Sequence, residues 1–185
     1  MNNCIGLYTE QEKAIIDMKP SSQGVGNYLL DLAQKEKKEV TILPLMKLVY
    51  LVHGFSLAIY NKSALNPHYD KVEAWKYGPV IPSLYHELKR FGSDNIKKYR
   101  SQVIIEIKDS FKLKKASLDD KEITEITNFV WESFKDYTPT QLVELTHASG
   151  SPWHDVYKPD ENNIIDDAIT KRYFKALIHV ANKEY

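Results

Sequence analysis

The sequence predicts a mainly α fold: one compact helical domain around a central buried helix, with a small sheet of two or three strands. Three observations carry this. After Thr41, the residues Leu45, Leu48, Val49, Val52 and Ile59 recur at the three- and four-residue spacing of one helix face. Met46, Leu51, Phe55 and Ala58 extend the apolar surface well around the cylinder, so this helix belongs inside a domain. Several capped, amphipathic segments accompany it. Only Val72–Tyr77 and Val103–Ile107 read as strands, so the sheet is minor.

In chain order, Thr9-Glu10-Gln11-Glu12 has capping-box form and predicts a short helix through Ala14, Ile15 and Ile16, ending before Pro20. Ser21-Ser22-Gln23-Gly24 reads as a turn, followed by an amphipathic helix carrying Val25, Tyr28, Leu29, Leu32 and Ala33. The central helix starts with Thr41 as N-cap and Pro44 in its first turn, where no intrahelical bond is lost. Val72–Tyr77 alternates as a half-buried strand, with Glu73, Trp75 and Tyr77 on one side. Gly78-Pro79 stops it, and Ile81-Pro82-Ser83 feeds a helix running to Phe91, with Gly92 just past its end.

Val103–Ile107 is expected to pair beside Val72–Tyr77. Ser117-Leu118-Asp119-Asp120 is a capping-box variant ahead of Ile123, Ile126, Val130 and Phe134 at helical spacing. Thr138-Pro139-Thr140-Gln141 is a stronger one, whose helix turns Leu142, Val143 and Leu145 inward. Gly150 and Pro152 end that helix, Ser151 caps a short turn containing Trp153, and a last helix from Asp166 is expected to bury Ile169, Tyr173, Leu177 and Val180.

Composition narrows the function. Lys plus Arg and Asp plus Glu both number 25, so the formal net charge is zero, without the basic excess of a protein that works on phosphate backbones. The middle is nonetheless locally basic, through Lys97, Lys98, Arg100, Lys108, Lys112, Lys114 and Lys115. A single cysteine, Cys4, excludes an internal disulfide and a multi-cysteine zinc site. The N-terminus lacks a signal peptide's apolar run, and His53-Gly54 interrupts the most hydrophobic helix. A cytoplasmic protein with no membrane partner is expected.

Searching for chemistry yields little. Gly24-Val25-Gly26 imitates a dinucleotide fingerprint, but the third glycine is missing and no strand precedes it. No nucleophile elbow is present. His147 and His154 lie seven apart across a helix break, and a metal site would need a distant oxygen ligand such as Asp70 or Asp155. His147 reads first as a helix-end residue bonded to terminal carbonyls, and His53 as a hydrogen-bonded core residue. Trp75, Tyr77, Trp131 and Trp153 read as packing residues first and recognition anchors second.

Taken together, Lys47-Leu48-Val49-Tyr50, Ala74-Trp75-Lys76-Tyr77-Gly78-Pro79-Val80 with Pro82 and Tyr85, Thr146-His147 and Ser151-Pro152-Trp153 resemble the Panacea domain family, the SocA-like antitoxin domain also known from phage-associated proteins. The resemblance implies an arm at 1–22 and a Panacea-like helical domain at 23–185. It also implies an antitoxin that neutralises a cognate toxin, encoded by an adjacent gene, through direct contact, with no catalytic reaction and no cofactor. For some members a protease to which the toxin is handed is a second partner. The motif residues Trp75, Lys76, Tyr77, Gly78, Pro79, Tyr85, His147, Ser151, Pro152 and Trp153 become the candidate partner-binding set. A proteolytic adaptor, and a metal-dependent enzyme using His147 and His154, are the rival readings.

Overall fold

The computed structural model describes residues 21–96, 102–107 and 110–183, with the backbone alone along 102–107 and 110–114. The arm expected before Pro20 lies outside them, as do Lys97, Lys98, Arg100 and Lys108. Seven helices and two small antiparallel sheets are described: α1 (Ser22–Lys35), α2 (Ile42–Tyr60), β1 (Glu73–Trp75), β2 (Gly78–Val80), α3 (Pro82–Leu88), β3 (Gln102–Ile107), β4 (Ser110–Lys115), α4 (Lys121–Phe134), α5 (Pro139–His147), α6 (Pro152–Val156), β5 (Asn163–Ile164) and α7 (Asp167–Ala181). A 3-10 turn, Lys89–Phe91, extends α3 to Gly92 as expected.

The apolar helix α2 is the hub. It packs against α1, α3, α4, α5, α7 and β2, and Leu45, Met46, Leu48, Val49, Leu51 and Val52 are all buried. By length and composition it could cross a membrane, yet 78% of its most apolar window is buried inside this fold. Ile59, expected on the buried face, is instead 49% exposed at the end of the rod. Gly54 lets α7 approach: a Cβ there would lie 2.3 Å from the Phe174 ring, which meets Tyr50 and Phe55 edge-on at centroid distances of 5.9 and 5.0 Å. That contact rotates α7. Its buried residues are Thr170 and Phe174, with Ile178 half-buried, whereas the expected Leu177 and Val180 are exposed.

Polar groups inside are paired in ways the linear sequence hides. His53 is fully buried, its Nε2 2.9 Å from Asp167 Oδ1, which makes it the hydrogen-bonded core histidine expected. That hydrogen bond holds the Asp167 carboxyl below its ordinary range. Asp70 accepts from Ser22 N (2.8 Å), Ser22 Oγ (2.7 Å), Asn66 N (2.9 Å) and Ser83 Oγ, tying the start of α1 to the loop after α2 and to α3. Its lone pairs are therefore committed, which removes it as a metal ligand. Ser22 to Gly24, read as a turn, form the first turn of α1 under the Ser21 cap, and Gly24 is required there because a Cβ would come 2.5 Å from the Ser117 carbonyl oxygen.

The sheet also departs from expectation. β1 pairs with β2 on one side and with β5 on the other, in the order β2-β1-β5. Val103–Ile107 does not join it: among the described residues β3 pairs only with β4, as a separate two-stranded ribbon. The strand expected over Val72–Tyr77 ends at Trp75, Lys76 and Tyr77 make the turn, and Gly78-Pro79, expected to stop the strand, instead open β2, which folds straight back on β1. β5 is two residues long, too short to leave a period in the sequence. The cap of α4 is Asp120, accepting from Glu122 N and Ile123 N, rather than Ser117, whose hydroxyl donates to Asp119. At α5 the expected capping box of Thr138 and Gln141 is present in both directions.

Candidate functional site

The turn joining β1 to β2 is held from beneath by three side chains from three different helices. Trp153 of α6 donates from Nε1 to the Trp75 carbonyl at 2.8 Å, and Lys47 of α2 donates from Nζ to the Pro79 carbonyl at 3.0 Å. Between them His147, in the last turn of α5, sets its Nε2 directly under Gly78. The two bonded carbonyls, of Trp75 and Pro79, bracket the turn.

Gly78 makes this grip possible. Its φ of 100° suits glycine alone, and a Cβ there would lie 2.5 Å from Lys47 Nζ and 2.9 Å from His147 Nε2. Both nitrogens thus crowd the same small space under the turn. Lys47 has no solvent exposure, and burial lowers its pKa from 10.5 to about 7. Burial, and then the nearby Lys47, hold His147 below its ordinary value. Its Nε2 is buried with no hydrogen-bond partner among the described residues.

Aromatic rings brace the clamp. His147 stacks on Trp153 at a centroid distance of 3.5 Å and 6° between planes, and Trp153 stacks in turn on Tyr157 at 4.6 Å. Trp153 is placed by its cap: Ser151 Oγ accepts from His154 N and donates to the Thr146 carbonyl, and Pro152 occupies the first turn of α6. On the opposite flank Trp75 meets Tyr85 edge-on at 5.0 Å and donates from Nε1 to Glu73. The top of the turn faces outward. Lys76 and Tyr77 are exposed, Tyr77 by 62%, with the ammonium 5.5 Å from the Tyr77 ring centroid.

The structure therefore gathers all ten candidate residues into one neighbourhood. Gly78, Pro79, His147, Ser151, Pro152 and Trp153 build and support the turn, Trp75 and Tyr85 flank it, and Lys76 and Tyr77 cap it. Trp131, the other tryptophan weighed as packing, is buried and donates to Glu36 at 2.8 Å. Lys47, Glu73 and Tyr157 were missed as site residues. A lysine inside the most apolar stripe of the chain was the available signal for Lys47, because such a group must find a partner or lose its charge.

His154 does not join His147. It is exposed, with Nδ1 3.7 Å from Asp155 Oδ1. Among the described residues no three His, Cys, Asp or Glu side chains come together as metal ligands.

A buried helical hub with one side-chain-clamped turn is the arrangement into which the motif segments fall, and the family profile of the SocA-like antitoxin Panacea domain matches residues 45–154, from just before Lys47 to just after Trp153. The chain belongs to this family. Antitoxin SocA of Caulobacter vibrioides (strain NA1000 / CB15N) is 33% identical over 134 residues, covering 71% of this chain and 68% of that protein. No solved structure matches the chain. Membership in this family supports an antitoxin role.

Proposed function

We propose that this protein neutralises a cognate protein toxin in the cytoplasm by direct contact, the toxin being encoded by an adjacent gene. The observation that carries the reading is the contrast within one turn. Its Trp75 and Pro79 carbonyls are fixed by Trp153 and Lys47 with His147 packed beneath Gly78, while Lys76 and Tyr77 stand exposed on top. A side chain presented from a rigid base loses little conformational entropy on binding, and tyrosine is among the residues that dominate interface energies. Family membership supplies the kind of partner.

Co-expression with the neighbouring gene's product tests this. A complex that survives purification, relief of the neighbour's growth toxicity, and a binding loss of roughly tenfold on Tyr77→Ala with an unchanged thermal midpoint are expected. A toxic neighbour that neither binds nor is relieved overturns the reading. Delivery of the bound toxin to a protease is a further step of the same proposal. It rests on the resemblance, and a toxin half-life in cells that ignores removal of residues 1–19 would exclude that segment from it.

A further inference from the structure

The ribbon β3–β4 stands apart from the core. Among the described residues its strands pack extensively only on each other, and their join to the body is at one end, where Asn27 Nδ2 donates to the Ala116 carbonyl at 2.8 Å and Lys115 pairs with Asp31. A lone two-stranded ribbon is marginal in water, and further strands or a packed neighbour make it stable. Its two edges are unequal. β4 carries Lys112, Lys114 and Lys115, the kind of charge that keeps an edge from pairing. β3, reading Gln-Val-Ile-Ile-Glu-Ile, has one charge and no proline.

Register and charge specify the occupant. Residues directly opposed across an antiparallel pair share a face, so Val103 with Lys114 and Ile105 with Lys112 lie on one side, and Ile104 with Leu113 on the other. The segment 97–115 holds seven basic and two acidic residues in a chain whose net charge is zero, so the rest of the chain is net acidic. A basic ribbon on a net acidic chain steers an acidic partner toward itself. A main-chain edge that is unpaired among the described residues and carries β-branched residues is matched by an extended polypeptide, since a nucleic-acid backbone offers no complementary ladder. We infer that the β3 edge is a docking strand for the toxin, which adds beside Gln102–Ile107 an extended segment alternating apolar and acidic residues. This rests on the proposed toxin binding and names the surface and partner chemistry within it.

The test uses the full chain and the purified product of the adjacent gene, inactivated if it is toxic. Affinity is measured for the wild type, for Lys112→Glu/Lys114→Glu and for the milder Lys112→Gln/Lys114→Gln, with far-UV circular dichroism and thermal midpoints as folding checks. Expected are wild-type binding that weakens with salt, a loss of at least about tenfold on charge reversal with a smaller loss for the glutamine pair, and new hydrogen-exchange protection at alternate β3 amides in the complex. A complex unaffected by charge reversal and without new β3 protection overturns the docking strand while the antitoxin reading stands. No complex with the wild type overturns both. Binding of a mixed-sequence DNA duplex that charge reversal abolishes, with the protein complex unaffected, assigns the ribbon to nucleic acid and also overturns the inference.

Discussion

The two β-hairpins of this molecule make opposite use of the same structure. β1 and β2 are three residues each, yet the turn between them is held by α2 and α6 through the Pro79 and Trp75 carbonyls and backed by His147 of α5. β3 and β4 are twice as long, with a full antiparallel ladder, and pack extensively only on one another. Ladder length is thus no guide to how firmly a hairpin is tied to the body. In the short one, side-chain donors from separate helices supply what its own ladder cannot, and the cost is a lysine with no solvent exposure. Among the described residues the long one has its β3 edge unpaired, and it is anchored at its base.

The contrast breaks most readily at Gly78. Gly78→Val would combine a positive-φ strain with a collision against Lys47 and His147, and a loss of about 4 kcal/mol by chemical denaturation is expected. Next comes pH. Lys47 has a pKa of about 7 in the folded protein against 10.5 for an ordinary solvated lysine, so between these values the unfolded chain holds a proton that the folded chain has released. Stability should therefore rise as pH increases above about 7, by on the order of 3 kcal/mol up to the onset of tyrosine ionisation, and the slope should vanish in Lys47→Met. The lowered pKa of His147 works in the same direction on the acid side: its share of stability falls as pH drops below the ordinary histidine value of 6.5. Denaturation midpoints at a series of pH values, in both proteins, read this directly.

A smaller effect comes from Trp153→Phe, which keeps a ring against His147 but removes the donor to the Trp75 carbonyl. A loss of about 1 kcal/mol, with the thermal midpoint as readout, is expected. Least of all, Lys115→Ala breaks an exposed pair with Asp31 and should change stability by less than about 0.5 kcal/mol. A larger loss would mean that the ribbon is structurally coupled to α1, and the contrast between the hairpins would shrink.

Much of the fold was legible from the sequence because helices announce themselves locally. Thr138 with Gln141, Pro44 behind Thr41, and the apolar run of α2 need only near neighbours to be read. The errors fell where a distant contact decides. The stripe on α7 moved to Thr170 and Phe174 because Gly54, more than a hundred residues earlier, leaves room for a ring. β1 found β2 and β5 rather than β3, and Asp120 outcompeted Ser117 as the cap of α4 while pairing with Lys62. Of the candidate site, the residue set was readable as a scattered motif. Its logic was not, since nothing in the spacing says that Lys47, His147 and Trp153 converge beneath one turn.

By itself, then, the sequence determined the helical class and the buried rod, which follow from periodicity and caps acting over a few residues, and it carried the motif residues through their resemblance to a family. Tertiary structure alone decided which strand pairs with which, that Asp70 is a structural acceptor, and that a buried lysine holds up the turn. Those outcomes depend on hydrogen-bond partners and close approaches brought together from far along the chain, and a side chain's environment is set by what packs on it rather than by its neighbours in sequence.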